Sequence, residues 1–115
     1  MRLAPILGGW LYALAASCAL AHARLEQAQP ADGSVLSSAP TQLVLRFSEK
    51  ARLTALWVAR DGGARQKLTP PPGEPQAAIT VALPVMRPGS YVISWRVVSA
   101  DGHIVPGQIR FTLKR

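Results

Sequence analysis

The sequence predicts an all-β fold: a seven-stranded antiparallel Greek-key β-sandwich or barrel, immunoglobulin-like or cupredoxin-like, following a cleaved signal peptide. Three observations predict it. Beyond residue 40, apolar and polar residues alternate with period two in one run after another. Ten prolines and nine glycines interrupt the chain at short intervals, which suits turns more than long helices. No stretch has the spacing of an amphipathic helix, and there is no internal repeat.

The first 21 residues differ from the rest. Arg2 is their only charge, and an Ala- and Leu-rich run from Leu3 ends in Ala19-Leu20-Ala21, a small-x-small triplet that a signal peptidase accepts. Two other fates of this run stay open. It is nearly long enough to span a bilayer as an uncleaved anchor, and Cys18 could be lipidated, although Ala15 stands where a lipoprotein signal usually has Leu. Cleavage after Ala21 yields one domain, 22–115, which begins at His22 and contains no Cys. With no disulfide available, its stability must come from core packing. A Cys-based zinc site is excluded for the same reason.

Within that domain, a short strand is expected near Leu25 to Gln29, followed by the turn Pro30-Ala31-Asp32-Gly33-Ser34. Ser38-Ala39-Pro40 precedes the run Gln42 to Phe47, where Leu43, Leu45 and Phe47 share a face. Thr54 to Arg60 reads as a separate strand with less regular alternation. Asp61-Gly62-Gly63 reads as a hairpin turn leading to a short strand at Gln66 to Leu68. Thr69-Pro70-Pro71-Pro72-Gly73 is too rich in proline for a strand interior. Ala78 to Leu83, Ser90 to Val98 and Gln108 to Lys114 each bury one alternating face. Trp57 and Trp95 belong in the core or at its edge. Tyr91, just after Pro88-Gly89, has the placement of a tyrosine corner.

The 13 Lys and Arg outnumber the 6 Asp and Glu, and all but Arg2 of the basic residues lie in 22–115. Such an excess first suggests nucleic acid, but export argues against that partner. The basic residues (Arg46, Lys50, Arg60, Arg65, Arg87, Arg96, Arg110) are dispersed along the sequence and read as a solvated outer face. Unspecific attraction to anionic lipid headgroups is compatible with them.

Enzymatic motifs are absent: there is no Gly-x-Ser-x-Gly elbow, no phosphate-binding loop, and few carboxylates to pair. One constellation remains, and it uses the chain's only two histidines. Cleavage would give His22 a free α-amine, so that amine and imidazole Nδ1 can chelate one metal ion. An α-amine of ordinary pKa, about 7.7–8.0, gives up its proton at little cost near neutrality. In Ser99-Ala100-Asp101-Gly102-His103, Asp101 and His103 are two apart and project to one side of an extended segment. Gly102 lets the backbone bend so that both face one point. Three nitrogens and a carboxylate oxygen suit a tetragonal Cu(II) ion, one per chain. Zinc is the alternative metal.

These residues carry a resemblance over essentially the whole domain. His22-Ala23-Arg24-Leu25, Pro30-Ala31-Asp32-Gly33-Ser34, Leu43 to Glu49, and the long block Pro88-Gly89-Ser90-Tyr91 through Trp95-Arg96-Val97-Val98-Ser99-Ala100-Asp101-Gly102-His103, with Gly107 and Phe111, resemble the copper-resistance protein C (CopC domain) family. The resemblance implies a periplasmic Cu(II)-binding protein acting in copper homeostasis, resistance or transport. It implies metal ligands at His22, Asp101 and His103, no catalytic residues, and an inner-membrane partner of the copper-resistance protein D type. Some members carry a Met-rich Cu(I) site; here Met86 is the only Met beyond the leader. Ile104 stands where the family commonly has Pro. Two other readings compete. A copper-dependent oxidative enzyme would also use a His brace, as lytic polysaccharide monooxygenases do, but this chain has few aromatic residues to present to a substrate. A metal-free immunoglobulin-like interaction module would leave the placement of the two histidines to coincidence.

Overall fold

The computed structural model describes residues 23–115; the expected leader, Cys18 and His22 lie outside the described residues. Seven strands follow one another: β1 (Leu25–Gln29), β2 (Ser34–Leu36), β3 (Gln42–Arg60), β4 (Gln66–Leu68), β5 (Gln76–Ala82), β6 (Gly89–Ser99) and β7 (Ile104–Leu113). There is no helix among the described residues.

The architecture turns on β3. Its first part pairs with β1 over Val44 to Phe47 and with β5 over Gln42 to Arg46, whereas Ala51 to Arg60 pairs with β6 and, over Leu56 to Val58, with β4. β7 continues the sheet beyond β6, and β2 ends it on β7. A single hydrogen-bonded sheet therefore curls over on itself, because its longest strand belongs to both sides of the fold.

This corrects the expected division into strands. Gln42–Phe47 and Thr54–Arg60 are two ends of one 19-residue strand. Between them the exposed Ser48-Glu49-Lys50 breaks the alternation, yet the backbone stays extended. Arg24 and Ser48 hold it there: the Ser48 amide donates to the Arg24 carbonyl and the Ser48 hydroxyl accepts the Arg24 amide, each at 2.8 Å. The remaining strand is Ser34–Leu36, which pairs parallel to β7, so the sheet is not wholly antiparallel. Three residues beside a turn carry too little pattern to be read as a strand. β7 begins at Ile104 and not at Gln108, because Pro106 and Gly107 obscure its alternation.

The irregularity of Thr54–Arg60 has a specific cause. Leu53 lies opposite Val97 and Ala55 opposite Arg96, so β3 advances two residues while β6 advances one. This bulge shifts the buried set from Ala51, Leu53 and Ala55 to Leu56 and Val58. Leu43, Leu45, Leu56, Ile93, Val97 and Ile109 are the fully buried centre of the core.

The expected tyrosine corner is present: the Tyr91 hydroxyl donates to the Arg87 carbonyl at 2.6 Å, and the ring stacks on Phe111 at 5.2 Å. Trp95 is buried, and Gly107 lies directly opposite it. A Cβ at Gly107 would stand 2.6 Å from the indole ring. Gly107→Ala is therefore expected to destabilise the protein by about 1–3 kcal/mol, the usual cost of overpacking a core. A lower urea midpoint at unchanged slope would show it; an unchanged midpoint would mean the ring moves aside freely.

Candidate metal centre

The β6–β7 connection is built by a short tight turn. The Gly102 amide donates to the Ser99 carbonyl and the Ser99 amide to the His103 carbonyl, both at 2.9 Å. Gly102 has φ +88°, a left-handed conformation that glycine adopts without a Cβ penalty. This is a three-residue hairpin loop, a β-turn followed by a left-handed residue. It brings Asp101 and His103 together as their spacing predicts. His103 Nδ1 lies 2.9 Å from Asp101 Oδ2, and the His103 amide donates to Asp101 Oδ1 at 3.3 Å. A neutral imidazole that donates its Nδ1 proton to a carboxylate carries its lone pair on Nε2, the atom a metal would take.

Beneath the pair lies Ser99, which is 3% exposed and is the buried polar residue of the fold among those described. Its hydroxyl donates to Asp101 Oδ1 and also lies 3.3 Å from the His103 carbonyl. Ser99 is not among the residues that the sequence pattern singles out. The available signal was its place as an inward residue at the end of β6, where alternation leaves a hydroxyl facing inward with the Asp two residues on. The Ser99 hydrogen bond is the main cause that holds the Asp101 pKa down at about 2, against an ordinary 3.8, with the His103 amide and imidazole adding to it. Asp101 is thus ionised throughout the neutral range.

A carboxyl whose pKa is depressed by folding stabilises the fold above its unfolded pKa, and this contribution is lost as the pH falls through the folded value. Asp101 therefore supports the fold above about 3.8 and ceases to do so as the pH drops towards about 2. Ser99→Ala is expected to raise the Asp101 pKa towards 3.8. Carbon-13 titration of the side-chain carboxyl would measure the change; a value still near 2 would remove the serine as its cause.

Among the described residues no group of three His, Cys, Asp or Glu side chains could hold a metal; the described part of the expected ligand set is the pair Asp101 and His103. His22, the third expected ligand, lies outside the described residues. The described chain enters the fold at the same end as this turn. Ala23 is buried, Arg24 is bonded to Ser48, and a little further along β3 Ala51 pairs with Ser99 at the base of the turn. An imidazole and a carboxylate make a donor set compatible with Cu(II) or zinc.

The described residues thus define a small all-β protein, a curled sheet without helices that carries a carboxylate-braced histidine in its last hairpin turn. The chain belongs to the CopC domain family, whose model matches residues 25–114. It is similar to the protein YobA of Escherichia coli strain K12, with 32% identity over 100 residues that cover 82% of this chain and 80% of the relative. It is also similar to copper resistance protein C of Pseudomonas syringae pv. tomato, with 28% identity over 117 residues covering 88% of this chain and 87% of that protein. Among solved structures, CopC from Methylosinus trichosporium OB3b matches with a TM-score of 0.69 at 26% identity, covering 81% of this chain and 94% of that one. PcoC, a methionine-rich copper resistance protein from Escherichia coli, matches at a TM-score of 0.59 and 27% identity, covering 82% and 100%. This chain is not methionine-rich: its only Met residues are Met1 and Met86, and Met86 is packed in the core at 7% exposure. The relatives that are named for a role are copper resistance proteins and not enzymes, so the oxidative-enzyme reading falls away.

Proposed function

We propose that the protein is a periplasmic Cu(II) carrier or buffer of copper homeostasis. It would bind one Cu(II) per chain through the α-amine and imidazole of a processed His22 together with Asp101 and His103. The observation that carries the reading is the carboxylate-braced His103, exposed at the end of the sheet where the described chain begins. Copper is cargo here: the ligands hold it in a site open to solvent, from which a partner can take it or to which it can deliver. An inner-membrane transporter of the copper-resistance protein D type is the proposed partner, and removal of residues 1–21 on export is the step that creates the amine. A Greek-key arrangement of the strands belongs to the same reading, supported by the non-sequential pairing of β3 with β6.

Titration of the processed protein with each oxidation state tests the proposal. One Cu(II) should bind tightly, and no comparable Cu(I) site should appear, because the Met86 thioether is enclosed by core side chains. Tight Cu(I) binding that disappears in Met86→Leu, or a second equivalent of Cu(II) of similar affinity, would contradict it.

A further inference from the structure

The basic residues look scattered in the sequence, but the fold brings two of them to one aromatic ring and sets a third beside it on the neighbouring strand. Trp57 is the outward residue of β3 just after the bulge, and it is half-buried. Arg65, from the loop before β4, places its guanidinium 4.5 Å from the ring centre, and Arg96 of β6 places its own at 5.2 Å. Lys67 is paired with Trp57 across the β3–β4 ladder. All three cations are exposed, and among the described residues none of them is in an ion pair. Beside them lies an open cleft of about 350 Å³, lined by Trp57, Arg65, Arg96, Ser94 and Gln108 among others, with no carboxylate in its lining.

An exposed cation–π contact contributes only about 0.5–1 kcal/mol. Two guanidiniums on one ring also repel each other, so the arrangement is poorly explained as a device for stability. What it offers is two planar hydrogen-bonding forks held near one ring by cation–π attraction. Such forks match carboxylates bidentately, and arginines already held against a ring lose less side-chain freedom on binding than freely moving ones. Ser94 and Gln108 add neutral hydrogen-bonding groups to the cleft lining. A bilayer is a poorer fit, since two cations lie over the Trp57 ring and keep it from entering lipid.

We propose that this cleft is a docking site for an extended, Asp- or Glu-bearing segment of a partner protein. Arg96 lies three residues before Ser99 on β6, and Gln108 lies five after His103 on β7. At about 3.4 Å per residue, the cleft is on the order of 10–17 Å from the Asp101–His103 turn along the same two strands. An acidic segment bound there stands next to the proposed copper site. The docking itself needs no copper and does not depend on the copper reading.

The probe is hexaglutamate, added to the isotope-labelled, metal-free, processed protein in about 0.15 M salt, where long-range attraction is screened. Saturable shifts are expected in the Trp57 indole and the Arg65 and Arg96 Nε–H signals. In the double variant Arg65→Lys/Arg96→Lys, which keeps the charge but removes the forks, affinity should fall about tenfold. The double variant Arg46→Ala/Arg87→Ala removes two charges elsewhere and should change it less than about twofold. Equal losses in the two double variants, or shifts spread evenly over all exposed basic side chains, would overturn the proposal in favour of unspecific attraction. Co-sedimentation with vesicles of 3:1 phosphatidylcholine and phosphatidylglycerol that requires Arg65 and Arg96, without a saturable peptide response, would overturn it in favour of a membrane.

Discussion

One alanine inserted ahead of His22 in the processed protein is expected to weaken Cu(II) binding by at least about a hundredfold, more than the loss of a supporting residue around a metal normally costs. The insertion keeps every side chain and every strand. It moves only the α-amine off the residue that carries the imidazole, and the small chelate ring can no longer form. His22→Ala removes the other half of that ring and should do similar damage. Both variants should also change the electron paramagnetic resonance spectrum, because a nitrogen donor is lost in each. An insertion that leaves affinity and spectrum as they were would reduce His22 to an ordinary imidazole ligand or to none. Binding should also weaken below roughly pH 6, since amine and imidazoles must shed protons to ligate. Asp101, ionised down to about pH 2, does not contribute to that loss.

His103→Ala is expected to be equally severe. The substitution removes the imidazole whose Nδ1 is anchored on Asp101 and whose Nε2 is the proposed donor. Asp101→Asn should also weaken Cu(II) binding, by about tenfold or more, because it replaces a proposed anionic oxygen ligand and also loosens the imidazole that this carboxylate orients. It discards the charge that holds the ring but can still accept the Ser99 hydroxyl hydrogen bond. Neither change should unfold the metal-free protein, since both side chains stand in an exposed turn beyond the alternating apolar faces. Competition titration against a chelator would rank the variants. An intact Cu(II) affinity in His103→Ala would remove the turn from the site altogether, whereas unfolding of that variant would mean that the turn is structural.

Much of the candidate site was legible in the sequence, because its geometry is local. Asp101, Gly102 and His103 are consecutive, and a glycine between two ligand types at a strand end already implies that both can face one point. The Tyr91 corner was legible for the same reason: its hydrogen bond reaches back only to Arg87. The role of Ser99 was not, since a serine at the end of a strand reads equally well as a solvated turn residue. Its function follows from being buried, and burial is a property of what packs over it.

The alternating runs by themselves determined that the protein is all-β, which faces are buried, and where most turns fall, because period two is written in neighbouring residues. The Asp-Gly-His spacing likewise determined the described half of the proposed ligand set. Only the tertiary structure decided that Gln42 to Arg60 is one strand shared by both sides of the sheet, that Ser34–Leu36 runs parallel to β7, and that Arg65 and Arg96 meet on Trp57. These features depend on pairing between residues far apart in the chain, and on a bulge that turns one strand's faces over. A local pattern records which side of a strand is apolar, but it carries no information about which distant strand will cover it.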